Sequence, residues 1–286
     1  MRHQDRVAIV TGAAQNIGLA TAERLIAEGA AVLLVDVQEQ KGQAQAERLT
    51  GDGARAAYLN ADLCDPEVPE QIIASALDRF GRLDILVNNA APMRPLARIS
   101  GIEAGDWDEQ FKVMIVATQL LIRHATEPLC RQAGSAIVNV ASVHGLMAAA
   151  DRTIYDTCKH AVIGLTRVAA VDLGPCGVRV NALCPGLIIT DRMQTAIADE
   201  PGIMETWGQI YPLRRGGQPS EMASVISFLA SQDASYMTGS VVVADGGMTA
   251  QLQENAAWHM FEWARNRGQG EPLLDRLIDK SFVNRD

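Results

Sequence analysis

No stretch of this chain approaches the roughly 18 uncharged apolar residues of a membrane-spanning helix, so no span is expected. The opening residues, MRHQDRVAIVTG, lack the apolar core and small-residue cleavage site of a secretory signal, and the expectation is a cytoplasmic protein. Cations are scarce too. Lys and Arg number 25 against 34 Asp and Glu, a formal net charge of −9. A phosphate backbone calls for a concentration of Lys and Arg, so nucleic acid is not an expected partner. The cysteines, Cys64, Cys130, Cys158, Cys176 and Cys184, are odd in number and contain no C-x-x-C pair. That pattern predicts reduced, mostly buried thiols, with no metal site and no disulfide frame. Low-complexity runs and internal repeats are absent, so nothing in composition divides the chain.

What is present is ordinary for a globular protein: 48% hydrophobic and 21% charged residues over 286 positions, enough for one α/β domain. RVAIVT reads as a buried strand, TGAAQNIG as a tight turn and LATAERLIAEGA as a helix. AVLLVD is a second strand ending on Asp36. The alternation continues with QEQKGQAQAERL as helix, ARAAYLNADL as strand, PEVPEQIIASALDRF as helix and LDILVNNA as strand. A long helix is predicted over 106–129, then strand SAIVNVAS, a helix over 154–173, strand GVRVNALCPG, helix PSEMASVISFLAS and strand SVVVADGG. Repeated βαβ with short connections requires a parallel sheet covered by helices on both faces. Ligands of such sheets sit beyond the C-terminal strand ends. Gly12, Asp36, Asp62, Asn89, Ser142 and Pro185 all fall at or just after those ends.

Two constellations carry chemistry. The turn framed by Gly12 and Gly18 lets backbone N–H groups and a helix N-terminus face a pyrophosphate. Asp36, ending the next strand, suits the hydroxyls of an adenosine ribose and repels a 2′-phosphate. The neighbouring Gln15 and Val37 supply no compensating cation, so NAD is expected rather than NADP. The second constellation is Ser142, Tyr155 and Lys159. On a helix, Tyr155 and Lys159 share a face at i, i+4, and a cation there is expected to depress the tyrosine pKa, making Tyr155 an acid/base near neutral pH. Ser142 is placed to hold a carbonyl oxygen.

TGAAQNIG, NADL, NNAA, Ser142 with Tyr155-x-x-x-Lys159, PGLIIT and DGG stand in the order and spacing of the short-chain dehydrogenase/reductase family, which the chain resembles over about residues 5–250. The resemblance implies a Rossmann-type domain with a seven-stranded parallel sheet in order 3-2-1-4-5-6-7. It also implies hydride transfer between a nicotinamide cofactor and an alcohol or carbonyl. Carried over, Tyr155 is the acid/base, Lys159 binds the nicotinamide ribose and lowers the Tyr155 pKa, and Ser142 orients the substrate oxygen. Gly12, Gln15, Asn16, Ile17 and Gly18 form the pyrophosphate turn, Asp36 holds the ribose, and Asp62 and Leu63 face the adenine. Asn89 lines the cofactor, and Pro185, Gly186, Ile188 and Thr190 meet its nicotinamide half. The family's long helices commonly pack across two-fold axes, which implies a homodimer or homotetramer.

The chain departs from the family pattern at three positions. Asn16 replaces the middle glycine of the turn, a residue that tolerates left-handed angles. Ala91 replaces the last glycine of NNAG. Met114 stands where a catalytic asparagine is usual; it keeps the main-chain carbonyl without ensuring the local helix distortion that frees it, and the readings are a slowed or altered proton relay or, ahead of that, drift to a packing residue in an active enzyme. His144, Met93 and Arg94 are noted near the site and left outside the catalytic set. Cys158, beside Lys159, reads as a small buried residue. Residues 191–215 read as a lid, and 251–286, with Trp258, Phe261 and Leu277 at helical spacing, as a helical extension of the 1–250 domain.

The function expected is NAD-dependent oxidation or reduction at a secondary alcohol or ketone, cyclic or otherwise fairly apolar. The alternatives are a non-catalytic NAD sensor or scaffold, and a dihydrodiol or sugar-alcohol dehydrogenase.

Overall fold

The computed structural model describes residues 1–51, 55–92, 97–199 and 202–252, with Glu254, Phe261 and Arg265. Seven strands form one sheet: β1 (Val7–Thr11), β2 (Ala31–Asp36), β3 (Ala56–Asn60), β4 (Ile85–Asn88), β5 (Ala136–Val140), β6 (Arg179–Pro185) and β7 (Val241–Ala244). Their order is β3-β2-β1-β4-β5-β6-β7 and every pairing is parallel, as expected. The chain folds as two units, Met1–Pro185 with Gln218–Ala244, and Gly186–Gly217 with Asp245–Asp286.

In the first unit, VAIVT, AVLLVD, ILVN, AIVNV and RVNALCP are buried at every position. A parallel sheet is covered on both faces, so its inner strands must be apolar throughout rather than alternating. The edge strands β3 and β7 are half-exposed instead. The covering helices are α1 (Asn16–Ala27), α2 (Glu39–Gly51), α3 (Val68–Phe80), α4 (Asp108–Phe111), α5 (Thr118–Cys130) and α6 (Thr153–Leu173), with α9 (Pro219–Ala230) after the second unit's α7 (Asp191–Asp199) and α8 (Ile203–Gly208). Their ends follow the sequence. Gly81 closes α3 in the left-handed conformation, and Gln218 and Glu221 form a reciprocal capping box around Pro219 at the start of α9.

The edge opposite the strand C-termini is held by one buried and one partly buried arginine. Arg179 donates to the carbonyls of Leu229, Ser231 and Ala234 at 2.8–3.0 Å, and Arg6 donates to Ala230 and Gly134, both at 2.8 Å. Two guanidiniums therefore satisfy the otherwise unpaired last carbonyls of α9, where a cation is also favoured by the helix dipole. His3, fully buried, contacts the carbonyl and hydroxyl of Ser227 at 3.2 Å. This contact ties the N-terminus to the same helix.

Two expectations are corrected. The helix predicted over 106–129 is not continuous. It runs as a 3-10 turn (Ala104–Trp107), α4, a π-helical segment (Lys112–Ala117) and α5. Apolar spacing cannot separate these windings over so few residues. The cysteines are not all free: Cys130, at the end of α5, is bonded to Cys176, in the turn after α6, with Cα atoms 5.4 Å apart. Their separation of 46 residues is closed only by the approach of the two helix ends. Cys64, Cys158 and Cys184 are free, the last two buried.

In the second unit, Gly217 and Leu187 and then Ile189 and Gly217 exchange backbone hydrogen bonds at 2.9 and 2.8 Å. The Asp245 carboxylate accepts from the amides of Gly247 and Thr249, which shapes the DGG turn. Met93, Arg94, Trp258 and Leu277 lie outside the described residues, as does most of the expected C-terminal extension.

Candidate active site

Because all seven strands are parallel, Gly12, Asp36, Asp62, Asn89, Ser142 and Pro185 emerge on one edge of the sheet, as the strand assignments required.

At the end of β1 the chain turns through Gly12 at φ +64° and Asn16 at φ +52° before entering α1. Asn16 thus adopts the left-handed conformation for which asparagine is the best substitute for glycine. A Cβ at Gly18 would stand 2.0 Å from the Gly12 carbonyl oxygen, so only glycine permits α1 to approach the turn this closely. Asn89 braces the same turn. Its Nδ2 donates to the carbonyls of Thr11 (2.9 Å) and Gly12 (3.2 Å), and its amide donates to the Thr11 hydroxyl at 3.0 Å. Asn89 was expected to line a ligand; the structure also makes it the clamp of the β1 turn. Thr11, which sequence reading passed over, is the other half of that clamp.

Asp36, at the end of β2, is buried. Its carboxylate accepts from the amides of Ala14 and Gln38, both at 3.0 Å, which aims it at the glycine turn. Gln15 is held in place by Lys41, whose Nζ donates to its Oε1 at 2.6 Å. Asp62 is exposed and turns its carboxylate onto the Cys64 amide at 2.9 Å, with Leu63 buried beside it. A left-handed turn, a helix N-terminus and a carboxylate one strand away suit the pyrophosphate and adenosine ribose of a dinucleotide.

Ser142 follows β5 in extended conformation and caps a short 3-10 turn, its Oγ accepting from the His144 amide at 3.2 Å. Tyr155 lies in the first turn of α6, where the Ser142 hydroxyl acts on its phenol to favour ionisation. Lys159 is buried one turn further on. Its Nζ donates to the Val140 carbonyl at 2.8 Å and stands 5.6 Å from the centre of the Tyr155 ring. The three residues are brought together as expected.

The expected electrostatics are not found. Burial raises the Tyr155 pKa above its ordinary value, while the Ser142 hydroxyl and the Arg152 guanidinium pull it down. Burial also lowers the Lys159 pKa to about 8. Loss of solvent here outweighs the attraction between the pair that i, i+4 spacing alone suggests.

The π-helical segment Lys112–Ala117 includes Met114, which is buried and packs with Ile154, Cys158 and the partly buried Trp107 and Tyr155. The helix distortion that methionine does not ensure is therefore present. Such segments interrupt α-helices frequently at functional sites.

Sequence reading also set His144 aside and gave no role to Asp156. Here His144 Nδ1 and Asp156 Oδ1 are 2.8 Å apart, and the His144 ring stands edge-on to Tyr155 with centres 5.6 Å apart. The carboxylate can only accept, so Nδ1 carries the proton and Nε2 is left for other partners. The remaining expected residues, Gly186, Ile188 and Thr190, belong to the second unit. Ile188 is buried and bridges to Gly217, and a Cβ at Gly186 would stand 2.8 Å from the Asp245 Cα.

Comparison with known proteins agrees with this geometry. Residues 12–249 match the family model described as Enoyl-(Acyl carrier protein) reductase. The 2,5-dichloro-2,5-cyclohexadiene-1,4-diol dehydrogenase of Sphingobium indicum is 36% identical over 85% of this chain and 96% of its own length. The cis-4-hydroxycyclohexanecarboxylate dehydrogenase of Sinomonas cyclohexanicum is 36% identical over 86% and 97%. The crystal structure of levodione reductase superposes with a TM-score of 0.81 at 34% identity, covering 88% of this chain and all of that one. On the shared sheet order, the matched length and these relatives, the chain belongs to the short-chain dehydrogenase/reductase family of oxidoreductases.

Proposed function

We propose that the protein is an NAD(H)-dependent oxidoreductase that interconverts a secondary alcohol and a ketone on a ring. The observation that carries the reading is the convergence of Ser142, Tyr155 and Lys159 beyond β5, on the same sheet edge as the glycine turn. The relatives, which act on a cyclohexadienediol and a hydroxycyclohexanecarboxylate, support a cyclic substrate.

The nicotinamide, when bound, accepts or donates the hydride at the substrate carbon. Tyr155 exchanges the proton of the substrate oxygen through its phenol. Ser142 donates a hydrogen bond to the same oxygen and fixes its direction, stabilising the charge that grows there. Lys159 favours the phenolate by its charge and presents an ammonium to the ribose. Burial keeps the set dry, which strengthens each of these interactions while raising the cost of ionising any one. Asp36 favours NAD: its carboxylate is held in place by two amides, and a 2′-phosphate would meet it directly.

The exposed Val168 and Val171 of α6, at 59% and 76% exposure, support assembly with a second copy of the chain. The stretch 191–215 is assigned as a lid because it follows the end of β6. In the test, purified protein is assayed for NADH formation with cyclic secondary alcohols, alongside Tyr155→Phe. The variant is expected to lose on the order of 10²–10⁴-fold in kcat while binding NAD as the parent does; undiminished turnover would sink the assignment.

A further inference from the structure

The proposed reaction gives Arg152 no contact with substrate, and among the described residues its guanidinium faces the Tyr155 ring without an ion-pair or hydrogen-bond partner. Arg152 is the residue preceding α6 and is half-buried, with its guanidinium carbon 6.0 Å from the centre of the Tyr155 ring. Asp156 lies four residues on, the spacing at which an arginine and an aspartate pair along a helix, and the Asp156 amide does donate to the Arg152 carbonyl at 2.9 Å. The carboxylate, however, is engaged elsewhere. Oδ1 meets His144 Nδ1 at 2.8 Å and Oδ2 accepts from the Ala149 amide at 2.7 Å. The adjacent Asp151 faces Arg98 at 3.5 Å. Among the described residues, the Arg152 side chain forms no ion pair and no hydrogen bond. A half-buried guanidinium fork beside the reacting phenol, with both nearby carboxylates engaged, is a receptor for a planar anion.

We infer that Arg152 determines specificity by binding a carboxylate on the substrate whose hydroxyl or carbonyl meets Tyr155, and that His144 is a positioning residue that keeps Asp156 from neutralising that arginine. The inference rests on the proposed reading of Ser142, Tyr155 and Lys159 as the reacting site. It narrows the substrate from a cyclic alcohol to a cyclic hydroxy acid or keto acid.

The test uses the full chain with NAD and a pair of probes alike in shape but not in charge, cyclohexanecarboxylate and cyclohexanecarboxamide, titrated by calorimetry. The corresponding 4-hydroxy compounds serve as substrates. The carboxylate is expected to bind about tenfold or more tighter than the amide, as hydrogen bonds to charged groups imply, with an advantage that shrinks as salt is added. Arg152→Gln should remove the binding preference for the acid over the amide, and Arg152→Lys should keep part of it. His144→Ala, by freeing Asp156 to pair with Arg152, should also lower the acid-to-amide ratio while NAD binding holds.

Equal binding of acid and amide by the parent, binding of neither, or an equal loss for both in Arg152→Gln would overturn the inference. A preference for the acid without turnover of either alcohol would count against the oxidoreductase reading and uphold the anion site. Turnover without any preference would do the reverse.

Discussion

Lys159 is the most costly residue of the site. A fully buried ammonium whose pKa has fallen to about 8 is held in its charged form at neutral pH by little more than the Val140 carbonyl. Between that value and the ordinary 10.5, the folded chain binds fewer protons at this group than the unfolded chain. Stability attributable to Lys159 therefore rises with pH across the window and is flat below it. Denaturant unfolding of the parent and of Lys159→Met should diverge by on the order of 3 kcal/mol in the parent's favour from pH 8 to 10.5. Parallel pH profiles would show that the lysine is not buried as described. The presence of Ser142, Tyr155 and Lys159 was legible from residue type and spacing. The direction of the Tyr155 shift was not, because spacing reports the neighbouring charge and says nothing of how much water is excluded. His144 and Asp156 were equally hidden, since their 2.8 Å contact joins the loop after β5 to α6.

Among the elements, the turn from β1 into α1 has little conformational freedom. Gly18 touches the Gly12 carbonyl, Gly12 touches Asn89, and Asn89 is fixed to the end of β1. Gly18→Ala is expected to force α1 away from the turn, weakening NAD binding by at least about tenfold, with a stability loss on the order of 1–3 kcal/mol. Fluorescence titration with NADH and thermal unfolding check both, and unchanged binding would mean that the turn is not the pyrophosphate site. The glycine positions could be read from the sequence. The π-helical winding around Met114 could not, because it depends on how Met114 packs against Ile154 and Cys158 of α6. A methionine is adaptable enough to fill that space in place of the residue usual there.

At the scale of the whole molecule, stability should depend on redox state and on acid. The Cys130–Cys176 bond joins the ends of α5 and α6 across 46 residues. Replacing both by serine should cost about 2–4 kcal/mol under oxidising conditions and nothing under reductant, which equilibrium unfolding with and without dithiothreitol would reveal. An equal cost in both conditions would assign the effect to packing instead. His3, buried where the N-terminus meets α9, has its pKa lowered to about 4, chiefly by burial and then by Arg6. From pH 6.5 down to 4 the unfolded chain takes up the proton that the folded chain refuses, so stability falls across that window by on the order of 3 kcal/mol. His3→Gln should flatten that part of the acid limb, and an unchanged slope would remove His3 as its cause. No described helix is long and apolar enough to cross a membrane.

The sequence by itself determined the parallel sheet, because continuous apolar runs separated by helical repeats have few ways to bury both sheet faces, while the strand order came from the family resemblance that its motifs carry. It determined as well the glycine turn, Asp36 and the Ser142–Tyr155–Lys159 set, whose chemistry depends on residue type at short, countable spacings. The tertiary structure alone decided which groups face one another across elements: Cys130 with Cys176, His144 with Asp156, and Arg152 beside Tyr155 with no carboxylate partner among the described residues. Those relations turn on distances between segments far apart in the chain and on the loss of solvent around them, quantities that no local pattern of residues encodes.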